Sequence, residues 1–228
     1  VDLSIAASGE TRLGSSADLR SLSISSSGDS VVFGGDVVAD RSIEIAFEGP
    51  GTGTVSNAGT GVTLHTNRVE LAASDSTETD GRSAQIELGE GVNLDLDAIT
   101  GTTLAPATLV LDQDGAIDSA AVSRLADAAS GVTDLSLQLR SNDAVSLDTA
   151  ARADLAGLSG LDLAIVGRTF SALDATQTAS DFTLSSLDLT TREALDVDFG
   201  VTAESVSLAG GAGGTGDLLL RSALHADT

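Results

Sequence analysis

Apolar and polar residues alternate over short stretches along the whole chain. A period of two places Leu, Ile and Val on one face of an extended segment and Ser, Asp, Glu or Gln on the other, so each stretch predicts a half-buried strand. The clearest examples are Val1–Ile5, Leu22–Ile24, Ile43–Phe47, Leu135–Leu139, Leu161–Ile165 and Val206–Leu208. Stretches rich in Gly, Ser and Asp, such as 26–29, 34–36 and 112–115, predict turns between the strands.

The strands recur at a regular spacing. One central residue per strand gives Leu3, Ile24 and Ile45, which are 21 residues apart. The series continues through Leu64 or Leu71, Leu88 or Leu94, Leu111, Leu137, Leu163, Leu184 and Val206, with late steps of 21 to 26 residues. A repeat of this length is typical of a solenoid, in which each turn buries its apolar face against its neighbours. We therefore expect Leu3, Ile24 and Ile45 to form one aliphatic column.

This spacing favours an all-β fold: a right-handed parallel β-helix (β-solenoid) of about ten rungs, with residues 1–228 as a single domain. Ten rungs at about 4.8 Å each make a rod about 48 Å long. The main alternative is a β-sandwich, which also has strands every 8–12 residues but does not require a 21-residue register. The leucines of 155–163 resemble a leucine-rich repeat, a weaker alternative because the asparagine ladder of that repeat is missing.

Two segments break the alternation. Ser119–Ala129 carries Val122 and Leu125 at helical spacing, with Asp118 or Ser119 as a candidate N-cap and Gly131 as a stop. Ala150–Leu158 has a similar but shorter pattern. We expect both to be short helical insertions within two of the turns.

The composition indicates a core made of aliphatic layers. Hydrophobic residues make up 41% of the chain but aromatic residues only 2%, and Trp, Tyr, Met and Cys are absent. A narrow, regular interior needs no large aromatic side chains, and without Cys the chain has no disulfide or thiol chemistry. Because the chain has no Met, we expect Val1 to be a processed terminus or an internal cut, and the chain to be part of a longer polypeptide.

The charge balance excludes some partners. The formal net charge is −23, and all 11 basic residues are Arg. Such a surface repels phosphate backbones and anionic lipids, so we expect no nucleic-acid binding. No apolar run approaches the ~20 residues of a membrane helix, so we also expect no membrane insertion. Solubility explains the acidic surface more simply than calcium binding, which stays open as an alternative.

Two segments partly match calcium-binding motifs. The segment 112–118 supplies three Asp residues, but a twelve-residue EF-hand loop would need acidic ligands at Val110 and Ala121. The segment 210–218 resembles the glycine-rich nonapeptide of β-rolls, but Asp217 comes one residue too early and the motif occurs once. We interpret both as turns, and expect no metal site and no cofactor.

Catalytic residues do not group in the sequence. His65 and His225 are the only histidines and are far apart, so we expect two isolated surface residues. Asp162 and Asp188 could stack on adjacent rungs, as the paired carboxylates of polysaccharide-cleaving β-helix enzymes do. Such sites also use aromatic platforms, and this chain has no Trp or Tyr. We therefore expect a protein without catalytic activity, with the enzyme as the alternative.

Two neighbouring segments resemble each other and a known family. Ser30–Gly49 and Gly53–Ser74 each contain a glycine turn, a Val-containing strand and a second strand. They are similar to the repeats of filamentous-haemagglutinin-type proteins, which are large secreted bacterial adhesins with right-handed β-helical shafts. The likeness extends over residues 20–115 and only loosely beyond. The Asn-Pro motif of that family's secretion domain is absent, because neither Pro50 nor Pro106 follows Asn. The resemblance thus implies a shaft segment.

Together these features predict an extracellular or cell-surface bacterial protein with a structural or adhesive role as a stalk, fibre or matrix segment. A polysaccharide-processing β-helix enzyme and a calcium-dependent β-solenoid are the alternatives. The expected partners are neighbouring repeats of the same chain or identical subunits stacked end to end, and a carbohydrate or cell surface is a further candidate.

Overall fold

The computed structural model describes residues 1–59, 61–77, 83–96, 106–173, 182–198, 200–211, 218–220 and 224–226. These residues form mainly strands, with two short helices. In chain order the elements are β1 (Asp2–Ala7), β2 (Thr11–Leu13), β3 (Ser16–Ser26), β4 (Ser30–Phe33), β5 (Val37–Glu48), β6 (Thr52–Asn57), β7 (Val62–His65), β8 (Arg68–Ser74), β9 (Gln85–Leu88), β10 (Val92–Asp95), β11 (Ala107–Gln113), α1 (Ser119–Ala128), β12 (Leu135–Ser141), β13 (Ala144–Ser146), α2 (Thr149–Ala156), β14 (Asp162–Gly167), β15 (Thr169–Leu173), β16 (Phe182–Thr191), β17 (Leu195–Asp198), β18 (Val201–Ala209), β19 (Leu218–Leu220) and β20 (Leu224–Ala226).

The strands form three sheets, and the strand pairs between described residues are all parallel. The main sheet has the order β1-β3-β5-β8-β11-β12-β14-β16-β18-β20, with β7 and β10 joined to it beside β5. The two smaller sheets have the orders β2-β4-β6-β9 and β13-β15-β17-β19. The prediction of an all-β parallel fold is confirmed, and an antiparallel β-sandwich does not describe this topology.

The core is built from columns of aliphatic side chains. Alternation along each main strand turns one residue in two inward, and parallel register stacks those residues strand upon strand. One column contains Ile5, Ile24, Ile45, Leu71, Leu111, Leu139, Ile165, Leu189 and Leu208. The neighbouring column contains Leu3, Leu22, Ile43, Val69, Leu109, Leu137, Leu163, Leu187 and Val206. Away from the two ends these side chains are almost completely buried.

The predicted register was correct between Ile24 and Ile45 and wrong for Leu3. Ile24 pairs with Ile45, as expected, but Leu3 pairs with Leu22 and lies in the neighbouring column. The turn between β1 and β3 is two residues shorter than the 21-residue step allows, so the partner of Ile24 is Ile5. A shift of two residues keeps the same face inward, so the core is preserved.

The later part of the predicted series is shifted for the same reason. Leu111 pairs with Leu139 rather than Leu137, and Leu187, not Leu184, pairs with Leu163 and Val206. The step from Leu71 to Leu111 spans 40 residues, because β9 and β10 and their connections lie between these two main strands. The repeat length is therefore set by the turns and not by a fixed rung.

The two predicted helices are confirmed. Both begin at an Asp N-cap: the carboxylate of Asp118 accepts from the Ala121 amide at 2.9 Å, and that of Asp148 accepts from the Ala151 amide at 2.8 Å. Helices α1 and α2 pack against each other in successive turns. Buried residues on both helices, including Val122 and Leu155, join the main core. In these two turns a helix therefore covers the side of the core that short strands cover elsewhere.

The two segments that resemble each other occupy equivalent places. Strands β4 and β5 of the first pair in register with β6, β7 and β8 of the second, for example Val31 with Val55 and Ile43 with Val69. The internal similarity thus corresponds to two consecutive turns stacked on each other.

Candidate functional site

The outward face of the main sheet is mostly polar. Among the described residues, the exposed large hydrophobic side chains are Val1 and Val166 alone. Register partners on this face are mostly Ser, Thr, Asp, Glu and Arg, as at Ser23, Glu44 and Glu70. Arg68 donates to Glu70 at 2.6 Å, so some of the excess acidic charge is paired along the strand.

The candidate catalytic carboxylates lie on adjacent strands of this face but do not stack. Asp162 of β14 pairs with Ser186, whose hydroxyl donates to its carboxylate at 2.6 Å. Asp188 of β16 pairs with Ala164. The two aspartates are therefore offset by one strand and two residues, about 8 Å between Cα atoms for ordinary strand spacings. Asp162 and Asp188, which the enzymatic alternative would align, are therefore not register partners, because the connection between β14 and β16 sets a 24-residue step.

His65 is not isolated. Its Nδ1 lies 2.9 Å from Oδ2 of Asp95, and the two residues are register partners on β7 and β10. Sequence reasoning missed this pair because the two residues are 30 positions apart, more than the assumed repeat. His225 lies in β20, at the other end of the main sheet. The two histidines therefore belong to different turns.

The three aspartates of segment 112–118 have separate structural roles. The Asp114 carboxylate accepts from the Asp75 amide at 2.8 Å and from the Asn142 side chain at 2.6 Å, while Asp118 caps α1. Asp112 lies on the outer face of β11, 3.8 Å from Arg140. Burial raises the pKa of Asp112; the attraction of Arg140 opposes this rise and is the smaller effect. The segment is a turn between β11 and Ile117, as predicted.

The remaining metal candidate is glycine-rich segment 210–218. Residues 212–217, including Asp217, lie outside the described residues. Within the described ranges, no three His, Asp or Glu side chains are grouped so that they could hold a metal ion.

A ladder of polar contacts runs along one corner of the stack. Arg168 contacts Asp143 on one neighbouring turn, with Nε 3.1 Å from Oδ1, and Glu193 on the other at 3.5 Å. Arg192 donates to the Asn142 carbonyl at 3.0 Å. Backbone bonds join the same turns here, because the Arg168 amide donates to the Asp143 carbonyl and the Glu193 amide donates to the Arg168 carbonyl, both at 2.8 Å. The Arg168 side chain reinforces these bonds between consecutive turns, and the Arg192–Asn142 contact spans two turns.

The two ends of the stack are the least covered parts of the core. At the first end, Leu3, Leu13 and Leu19 are only partly buried. At the other end, Val206 and Leu208 are also partly buried. Strand β20 pairs with 201–203 of β18 only, so 205–209 has no strand partner on its outer side among the described residues. Apolar surface is therefore concentrated at the ends.

The structure also contains a cleft that the sequence analysis did not anticipate. It has a volume of about 420 Å³ and lies between β9 and the start of α1. Its floor is apolar, with Leu71, Leu111 and Leu125, and its rim carries charged side chains, including Glu87, Glu90, Asp118 and Arg124. The volume lies within the usual range of ligand-binding sites.

The cleft forms because the smaller sheet of β9 is not continued by a strand in the next turn. There the chain makes a single-residue bridge at Ile117 and enters α1. A helix is about 10 Å wide and cannot approach a strand edge to the ~4.8 Å of a neighbouring strand. A gap beside β9 follows.

Gln113 and Arg124 replace the missing strand at the two ends of this gap. The Ile86 amide donates to Oε1 of Gln113 at 3.1 Å, and Nε2 of Gln113 donates to the Ala116 carbonyl at 2.6 Å. Arg124 donates to the carbonyls of Gly89 and Val92 at 2.7 and 2.8 Å. The available signal in the sequence was Gln113 itself, a polar residue at an inward position of the alternation.

Comparisons with known proteins give no family assignment. No protein-family model, curated protein or solved structure matches the chain. Neither helix of the described residues has the length and apolar character needed to cross a membrane.

Proposed function

We propose that this chain is a right-handed parallel β-helix of about ten rungs that serves as an extracellular structural or adhesive segment. It forms a stiff part of a bacterial stalk, fibre or matrix protein of the filamentous-haemagglutinin type. Its role is to separate or display binding regions, and not to catalyse a reaction.

The observation that carries the proposal is the pair of aliphatic columns. Each continues through nine main strands in parallel register without interruption. Such a stack resists bending because every turn packs on the next, and its length grows simply by adding turns. The corner contacts of Arg168 and Arg192 add ties between turns. These features support a load-bearing or spacing role.

The distribution of apolar surface supports association at the ends. The sides are polar and the chain carries 23 excess negative charges, so lateral contact between copies is disfavoured. The partly buried residues Leu3 and Val206 are at opposite ends of one column. Neighbouring repeats of a longer chain, or identical subunits, would cover these ends and extend the column.

Sedimentation velocity tests this end contact. Leu3→Arg places a charge in the column at the exposed end and is expected to reduce association of the isolated chain. Ser4→Arg adds the same charge on the outward face of the same strand and serves as the control. Equal association of both variants and the parent chain would contradict a contact through the ends.

An activity and adhesion assay separates the proposed function from the enzymatic alternative. We expect no release of reducing ends from acidic or neutral polysaccharides, and retention of polysaccharide-coated or cell-coated beads by the immobilised chain. Asp162→Asn combined with Asp188→Asn should leave both results unchanged. Polysaccharide cleavage that this double variant abolishes would replace the structural proposal by the enzymatic one.

A further inference from the structure

We propose that the cleft between β9 and α1 binds an extended basic peptide segment by adding it as a strand to the free edge of β9. This inference is independent of the proposed structural function. It rests on three observations: unused backbone groups, the apolar floor and the sign of the charge at the rim.

The unused backbone groups belong to Ile86 and Leu88. Gln85 donates to the carbonyl of Gly51, the residue before β6, and Gly89 donates to the carbonyl of Val55 in β6. In a parallel strand successive residues direct their hydrogen-bonding groups to opposite sides, so Ile86 and Leu88 face away from β6. Gln113 takes the Ile86 amide. The Ile86 carbonyl and both backbone groups of Leu88 face the gap, and no described residue hydrogen-bonds them there.

The apolar floor sets the side-chain pattern of the occupant. Ile86 and Leu88 point inward, and Glu87 between them is exposed. An incoming strand in register would turn its first and third residues toward Leu111 and Leu125 and its second toward solvent beside Glu87. At about 3.3 Å per residue, the edge from Ile86 to Leu88 engages about three residues. The matching pattern is apolar, polar, apolar.

The rim charge selects a basic peptide. Three carboxylates, of Glu87, Glu90 and Asp118, line the cleft with one guanidinium, that of Arg124, giving an excess of two negative charges. Arg124 is already engaged with two backbone carbonyls. An acidic peptide would also be repelled by the net charge of −23 on the chain. Basic residues beside the apolar pair therefore complement the rim.

The test is a titration with the blocked pentapeptide Ac-Lys-Val-Lys-Val-Lys-NH2, measured by calorimetry at low and at high salt. Saturable binding is expected, and the scrambled peptide Ac-Lys-Lys-Lys-Val-Val-NH2 should bind at least several-fold more weakly. In an added strand antiparallel to β9, the two valines lie opposite Ile86 and Leu88 as hydrogen-bonded pairs, so methylating both valine amide nitrogens removes the donors to those carbonyls and should weaken binding by about tenfold. The acidic analogue with Glu in place of Lys should not bind.

Variants of the chain locate the site. Ala120→Trp fills the mouth of the cleft from the first turn of α1 and should reduce affinity at least tenfold. Ala150→Trp, at the equivalent exposed position of α2, is the matched control and should leave affinity unchanged. Glu87→Gln with Glu90→Gln should weaken binding about fivefold at low salt and less at high salt.

Three outcomes would overturn the proposal. One is equal binding of the patterned and scrambled peptides, which would show attraction by charge alone. The second is unchanged affinity in Ala120→Trp, provided that its thermal unfolding matches that of Ala150→Trp. The third is absence of any saturable binding to the parent chain.

Discussion

Truncation of one residue in a core column should destabilise the turns that pack around it. Ile45 is 1% exposed and lies between Ile24 and Leu71. Ile45→Ala removes three carbon atoms, a transfer loss of about 2.4 kcal/mol at ~0.8 kcal/mol per methylene. The remaining cavity raises the expected loss of unfolding free energy to about 3–4 kcal/mol. Glu44→Ala, on the outward face of the same strand, should change it by about 0.5 kcal/mol or less.

Urea unfolding measures the unfolding free energies of the two variants, and hydrogen exchange shows which strands lose protection. Because each turn packs only on its neighbours, protection should fall most in β3, β5 and β8 and least in β16 and β18. A loss below about 1 kcal/mol, or a similar loss in Glu44→Ala, would refute the column. Loss of protection concentrated at the far end of the chain would refute the nearest-neighbour reasoning.

Three further predictions follow from particular contacts. A Cβ on Gly28 would lie 2.5 Å from the carbonyl carbon of Gly9, so Gly28→Ala should destabilise by about 1–3 kcal/mol in thermal unfolding, whereas Gly9→Ala meets open space and should be near neutral. The raised pKa of Asp112 means that the folded state binds its proton more tightly than the unfolded state does, so its charge costs stability above the folded pKa. Asp112→Asn should therefore stabilise the chain at neutral pH, and unfolding curves should show the gain disappear as the pH falls through the folded pKa toward the unfolded one; a gain independent of pH would contradict this cause. Millimolar calcium should change the melting temperature only modestly, through screening, and a large rise that Asp114→Asn abolishes would reveal a real site.

Alternation along the chain predicted which residues of a strand face inward, because this depends only on the local pattern. The inward positions of Ile24 and Ile45 follow from the period alone, and the structure confirms them. Residue type narrowed the N-cap of α1 to Asp118 or Ser119, and the structure shows Asp118. The partner of Leu3 depends on the length of a turn, for which alternation carries no signal. Val110 marks the same limit, since it lies at an outward register position and is nevertheless buried.

The cleft and the His65–Asp95 pair could not be predicted because both depend on which turns lie next to each other. Residues 71 and 111 meet across 40 positions, and β9 loses its neighbour only because α1 takes the place of a strand. Gln113 at an inward position was the one visible sign of an interrupted ladder. The sequence does not show what Gln113 binds there, because its partner, the Ile86 amide, is 27 residues away.

Electron microscopy of the isolated chain, at rising concentration and moderate salt, tests the central claim most directly. An end-stacking β-helix predicts unbranched filaments or end-to-end dimers of one rod's width, with a layer spacing of about 4.8 Å along the axis. Their width should stay constant, because the acidic sides repel each other. Monodisperse single particles at high concentration, or particles that associate side by side, would contradict it.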